Sequence, residues 1–255
     1  MSAGIRVFRC LSDNIGVLLH DEQTGTCVAI DAPEAGAIDR QLETAGWKLT
    51  HILVTHSHAD HVQGIPELKQ KFGCQVIVPE KAAAAVPDAD SLVREGDSLD
   101  IGPFDVQVWE TPGHCADHVS YILPSLQAAF VGDVLFTLGC GRVFGGDYEG
   151  MWRSISRLLA LPDETLVYCG HDYTLSNGRF ALAVDPENGR LQERIAEAQS
   201  LADKGSFLIP ARLGDERVTN PFLRADKMVI ARSVGKENAT PLEVFRALRE
   251  WKNNF

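Results

Sequence analysis

Residues 55–61 read Thr-His-Ser-His-Ala-Asp-His, directly behind the apolar run Ile52-Leu53-Val54. Imidazole nitrogens and carboxylate oxygens are ligands for zinc, iron and manganese. His56 and His58 stand two apart, so in extended backbone they point the same way. Asp60 and His61 are adjacent and come where a helix should begin, so they point elsewhere. One segment could therefore feed two neighbouring ions with a pair of ligands each. Chance explains a lone histidine well. It explains H-x-H-x-D-H after a buried strand poorly.

Two ions need further ligands, and three candidates follow. His114 lies in Thr-Pro-Gly-His after the strand Val106–Trp109, Asp133 in Gly-Asp after Phe130-Val131, and His171 in Gly-His after Val167–Cys169. Each stands just past the end of a strand. Strand ends converge on one edge of a layered fold, where sites are commonly built. His20, His51 and His118 are left with structural or supporting roles.

The elements that must position these residues alternate between strand and helix. Val17–Leu19 and Cys27–Ile30 read as strands paired around the turn 21–25. Further strands fall at His51–Thr55, Gln75–Val78, Phe104–Trp109, Val119–Leu123, Ala128–Val131 and Leu166–Cys169. Helices are expected at Ile38–Ala45 and Ile65–Phe72, closed by Gly46 and Gly73, and at Trp152–Ala160. Beyond about residue 172 the strand signal fades. Leu191, Ile195, Ala198 and Ala202 recur at helical spacing, and Thr240-Pro241-Leu242-Glu243 is a capping box opening a terminal helix. Phe207–Arg224 reads as irregular, with prolines.

At 255 residues the chain can bury a sizeable core. No run approaches the roughly 18 apolar residues of a membrane span, and the first residues lack a signal-peptide pattern. Six scattered cysteines without a CxxC pair suggest reduced thiols and a cytoplasmic location. The net charge of −11 argues against nucleic-acid and membrane partners. Residues 190–255 hold 12 basic and 9 acidic side chains, whereas the preceding residues hold 12 and 26. The mildly basic tail suits an anionic ligand. Gly-Cys-Gly-Arg-Val-Phe-Gly-Gly at 139–146 lacks the Lys-Ser/Thr of a phosphate loop and is set aside as one.

THSHADH followed by TPGH, GD and GH resembles the metallo-β-lactamase superfamily. The resemblance implies an α/β fold, an αβ/βα four-layer sandwich, over residues 1–172, with a helical domain over 173–255. It implies that His56, His58 and His114 hold one ion, that Asp60, His61 and His171 hold a second, and that Asp133 bridges them. Fold and metal site do not fix the reaction.

Four stretches carry a finer resemblance, to glyoxalase II, the hydroxyacylglutathione hydrolases: GDVLFTLGCGRVF at 132–144, YCGHDYT at 168–174, RFALAVDPEN at 179–188 and NPFLR at 220–224. It implies hydrolysis of S-D-lactoylglutathione by water activated between two divalent ions, zinc first, with iron or manganese as alternatives. Asp60 and Asp133 are the carboxylates on which turnover would depend. Arg142, Phe144, Tyr173, Arg224 and Lys227 would hold the glutathione moiety. The sequence departs from the family in having Arg at 142 where many members have Lys, Phe at 144 where some have Tyr, and Ile in Asp13-Asn14-Ile15-Gly16 where an aromatic is usual. A monomer acting on a small-molecule thioester is expected. A glutathione persulfide dioxygenase or a lactonase of the same fold is the alternative, although dioxygenase relatives usually lack the helical extension. A scaffold that has lost turnover would be expected to miss ligands.

Overall fold

The computed structural model describes residues 3–255. The chain forms two compact units, one running up to Glu110 and including Ala116–Gly132, the other made of Thr111–Cys115 and Asp133–Phe255.

In the first unit, β1 (Ala3–Cys10), β2 (Asn14–Asp21), β3 (Cys27–Ile30), β4 (His51–Leu53), β5 (Gln75–Pro79) and β6 (Ser91–Val93) form one sheet in chain order. β1 to β3 pair antiparallel and β3 to β6 parallel. All of β2 is buried, as befits a strand covered on both faces. Helices α1 (Ala35–Ala45), α2 (Ala59–Val62) and α3 (Ile65–Phe72) lie between the parallel strands in sequence. Ile38 and Leu42 of α1 and Ile65 and Leu68 of α3 share one buried cluster with Leu18, Ile52, Val76 and Val78. Burial of such side chains contributes about 1.5–3 kcal/mol each. Gly46 and Gly73 close α1 and α3 in the left-handed region, as the sequence predicts. A second run, β7 (Ser98–Ile101), β8 (Phe104–Glu110), β9 (Val119–Leu123) and β10 (Ala128–Gly132), is an antiparallel meander.

In the second unit, β11 (Leu135–Phe136) and β12 (Gly139–Cys140) form a hairpin. There follow α4 (Tyr148–Leu158), β13 (Leu166–Cys169), α5 (Thr174–Val184), α6 (Gly189–Ala202), β14 (Ala211–Arg212), α7 (Leu213–Thr219), α8 (Met228–Ser233) and α9 (Pro241–Asn253). The capping box is present at Thr240 and Glu243.

Two expectations are corrected. The helix placed at Trp152–Ala160 begins earlier, at Tyr148, because the Asp147 carboxylate accepts the Gly150 amide and caps it. The segment Phe207–Arg224 is not irregular: β14 and α7 lie within it. The buried side of α7 includes Glu216 and Thr219 with Leu213, so no apolar repeat marks it. Glu216 is fully buried. Its carboxylate meets Arg194 Nη2 at 2.7 Å and accepts from the Leu138 amide at 2.9 Å and Asn220 Nδ2 at 3.0 Å. Asn220 also donates to the Gly139 carbonyl at 2.9 Å, and Arg249 of α9 donates to the Cys140 carbonyl at 2.8 Å. The hairpin β11–β12 is thus held by polar groups of the C-terminal helices. Among the described residues no helix is long and apolar enough to cross a membrane.

Candidate metal centre

The segment after β4 carries four of the expected ligands. Buried Tyr121 donates its hydroxyl to the Val54 carbonyl at 2.7 Å and fixes the strand exit. Asp31, just past β3, then organises the turn: its carboxylate accepts the Thr55 amide at 2.7 Å and the Thr55 hydroxyl at 2.8 Å. It also faces His61 Nδ1 at 2.8 Å. The Thr55 hydroxyl lies 3.0 Å from His56 Nδ1. Nδ1 of both rings is therefore engaged, which holds the proton there and turns Nε2 outward as a lone-pair donor. His56 Nε2 and His58 Nδ1 face each other at 3.0 Å. Asp60 and His61 lie in the short helix α2, with the His61 ring centroid 4.1 Å from that of His56. Asn14 donates to both the carbonyl and the carboxylate of Asp60, each at 3.1 Å. The Ser57 amide donates to Asp117 at 3.1 Å.

His118 is buried and stacks on His56, ring centroids 5.0 Å apart, in the supporting role expected of it. Gly132 sits against these groups. A Cβ there would come 2.5 Å from His118 Nε2 and 2.7 Å from Thr55 Oγ1, so only glycine fits.

The other three ligands come from separate stretches of the second unit. The Arg142 carbonyl lies 3.0 Å from His114 Nδ1, and the His114 carbonyl accepts the Phe144 amide at 3.2 Å. The Gly-Arg-Val-Phe loop therefore orients His114, again leaving Nε2 as the donor. His114 Nε2 and His171 Nε2 stand 3.5 and 3.4 Å from the same oxygen of Asp133, all three residues buried. The candidate ligands are thus His56, His58, Asp60 and His61 in the first unit and His114, Asp133 and His171 in the second. This donor set suits a pair of divalent ions. Nitrogen and carboxylate oxygen ligands with preset tautomers match zinc, iron or manganese.

The candidate substrate residues divide into two kinds. The Tyr173 ring stacks on His171 at 4.9 Å, and the Phe144 ring meets His114 edge-on at 5.3 Å. Both rings are also open to solvent, and Arg142 is exposed. Arg224, by contrast, is largely buried and ion-paired with Asp185, while Lys227 is exposed beside Asp226. Two of the sequence stretches, RFALAVDPEN and NPFLR, thus bond to each other.

Among the described residues no two cysteines form a disulfide. Burial pushes the thiols of Cys10, Cys27 and Cys169 up to about 12 and that of Cys140 up to about 11. None of these four is a thiolate nucleophile near neutral pH. Sequence reasoning missed Asp31, Thr55 and Asp117, although Asp31 shares the strand-end placement of the ligands. It also took the Asp13–Gly16 stretch only as pocket wall, whereas Asn14 holds Asp60.

An α/β chain presenting these His and Asp residues after its strands is a member of the metallo-β-lactamase superfamily, whose model matches residues 22–171. The family model "Hydroxyacylglutathione hydrolase C-terminus" matches residues 172–255. A hydroxyacylglutathione hydrolase of Methylobacterium nodulans is 58% identical over 252 residues, spanning 98% of this chain and 99% of the relative. One from Bradyrhizobium sp. (strain BTAi1) is 52% identical over 253 residues, spanning 99% of each. Among solved structures, ETHE1 from Myxococcus xanthus superposes with a TM-score of 0.69 at 28% identity, covering 97% of this chain and 90% of that one. The chain belongs to the hydroxyacylglutathione hydrolase family.

Proposed function

We infer that this chain hydrolyses S-D-lactoylglutathione and related 2-hydroxyacylglutathiones to the hydroxy acid and glutathione, the second step of methylglyoxal detoxification. The observation that carries this reading is the similarity to hydroxyacylglutathione hydrolases along the whole chain, including residues 172–255. That C-terminal match also weighs against a persulfide dioxygenase or lactonase.

In this reading residues 1–172 are the catalytic domain and 173–255 the substrate-binding domain. His56, His58 and His114 hold one ion, Asp60, His61 and His171 the other, and Asp133 serves both, with zinc the first choice. When bound, such a pair supplies Lewis acidity and brings the pKa of water toward about 7. The protein's own part is to hold the ligands in their metal-ready tautomers through Asp31, Thr55 and the Arg142 carbonyl. Arg142 and Lys227 supply positive charge for the carboxylates of glutathione, and Tyr173 and Phe144 supply apolar walls. Arg224 belongs to the same glutathione-holding set, and its ion pair with Asp185 orders this region. The chain is read as a cytoplasmic monomer with no nucleic-acid or membrane partner.

Steady-state loss of thioester absorbance with S-D-lactoylglutathione, with metal quantified on the same sample, tests the reading. Turnover with two ions per chain supports it. No turnover from a filled site overturns it and directs attention to oxygen uptake with glutathione persulfide.

A further inference from the structure

Asn14 opens β2, directly after the turn that joins it to β1, and is buried. Its Nδ2 donates to two atoms of one residue, the Asp60 carbonyl and Asp60 Oδ2, each at 3.1 Å. Oδ2 is also the carboxylate oxygen that faces His61 Nε2, at 3.8 Å. Asp31 engages His61 Nδ1, so Nε2 carries the lone pair of that ring. One neutral donor thus grips the oxygen that stands beside a metal-type nitrogen. The grip is anchored at its other end. Asn14 stands opposite Cys10 in the β1–β2 register, and the Leu11 amide in the turn donates to Glu34 Oε2 at 2.8 Å. Glu34 opens α1, and the Ala32 amide donates to the His61 carbonyl at 2.7 Å. The hairpin end and α2 are therefore both tied to the segment 32–34. The Asp60 carboxyl is itself half-exposed. A carboxylate with that freedom can offer an ion either one oxygen or two.

We propose that Asn14 is a positioning residue that sets which ion the Asp60 side chain accepts. With Oδ2 held at a fixed point beside His61 Nε2, Asp60 offers one oxygen. Ligation through one oxygen suits an ion satisfied by four ligands, as zinc is. Manganese favours an octahedral, oxygen-rich shell and gains from a carboxylate able to turn both oxygens toward it. Asn14 therefore favours zinc over manganese where Asp60 is a ligand. The side-chain amide does not ionise, so its hold is the same at every pH at which Asp60 is charged. The inference rests on the assignment of Asp60 and His61 as metal ligands made above, and it supplies a reason for zinc among the ions that donor set allows.

The test strips the purified full-length protein with a chelator and equilibrates it with buffered zinc and a large excess of manganese. Each ion is then counted per chain by elemental analysis, and bound Mn2+ is also read by electron paramagnetic resonance. Tm is taken on the same samples. Asn14→Leu keeps the volume and removes both bonds to Asp60. Asn14→Ser keeps a small polar group there and guards against misfolding of the first variant. Both should lower the bound zinc-to-manganese ratio about tenfold. Leu42→Ala, in the buried cluster of α1, should lower Tm and leave the ratio at the wild-type value. An unchanged ratio in the Asn14 variants, or an equal shift in Leu42→Ala, overturns the proposal and leaves Asn14 a support of the fold alone. A wild-type chain that takes up neither ion overturns the ligand assignment and this inference together.

Discussion

Four metal-type ligands come from a single stretch, His56 to His61, and three from residues scattered over His114, Asp133 and His171. The two groups are built by different means. The first is a turn between a strand and a short helix, braced by side chains: Asp31 on Thr55 and His61, and Asn14 on Asp60. The second is braced mainly by backbone, with the Arg142 carbonyl on His114, and by close packing around glycine. A local motif can recruit carboxylates and hydroxyls as supports. Ligands from separate stretches depend on the chain passing closely behind them.

The contrast predicts where each group fails. Asp133→Ala removes the oxygen that faces both His114 and His171. Hydrolysis should fall on the order of 10²–10³-fold or more, with bound metal dropping in parallel by elemental analysis. Wild-type turnover and metal content in this variant would break the assignment. Gly113→Ala attacks the backbone support: Gly113 sits at φ +131°, and a Cβ would lie 2.3 Å from the Met151 backbone. Strain of about 1–3 kcal/mol is expected, visible as a lowered Tm together with weakened metal binding. Asp31→Asn attacks the side-chain support. Metal affinity should fall about 10–100-fold by competition with a chelator, while the fold is kept.

Arg142→Ala and Arg224→Ala sharpen the same distinction among the substrate residues. Exposed Arg142 should raise KM about tenfold with kcat little changed. Arg224→Ala should also lower the Tm, because it strands the buried Asp185 carboxylate. A far-off control is Thr240→Ala, which removes the α9 cap. It should cost about 1 kcal/mol, a few degrees in Tm, with kinetics unchanged.

The sequence made the first ligand group plain because its spacing is local and its strand is apolar. The second group was legible only through a repeated placement, a ligand just past a strand end, which survives in a linear reading. Asp31 obeys the same rule, yet an aspartate without histidine neighbours does not stand out. The long β1, with its largely half-exposed face, shows no clean alternation, and the short strands β6, β7, β11 and β12 are too brief for a period to register. Helix α7 escaped because its inner face is polar. The pairing of Arg224 with Asp185 joins residues 39 positions apart, and no spacing rule announces it.

The buried polar knot around Glu216 has a bearing on genetics. Its members, Arg194, Thr219 and Asn220, hold the hairpin that leads into Arg142 and Phe144. A screen for alleles with poor growth on toxic aldehydes would therefore return lesions in α6 and α7 beside lesions in the site. Those alleles would look like substrate-binding mutants, although the altered side chains never meet the substrate. Mild cooling or a second mutation that tightens the helices should restore them, and neither should rescue a lost ligand.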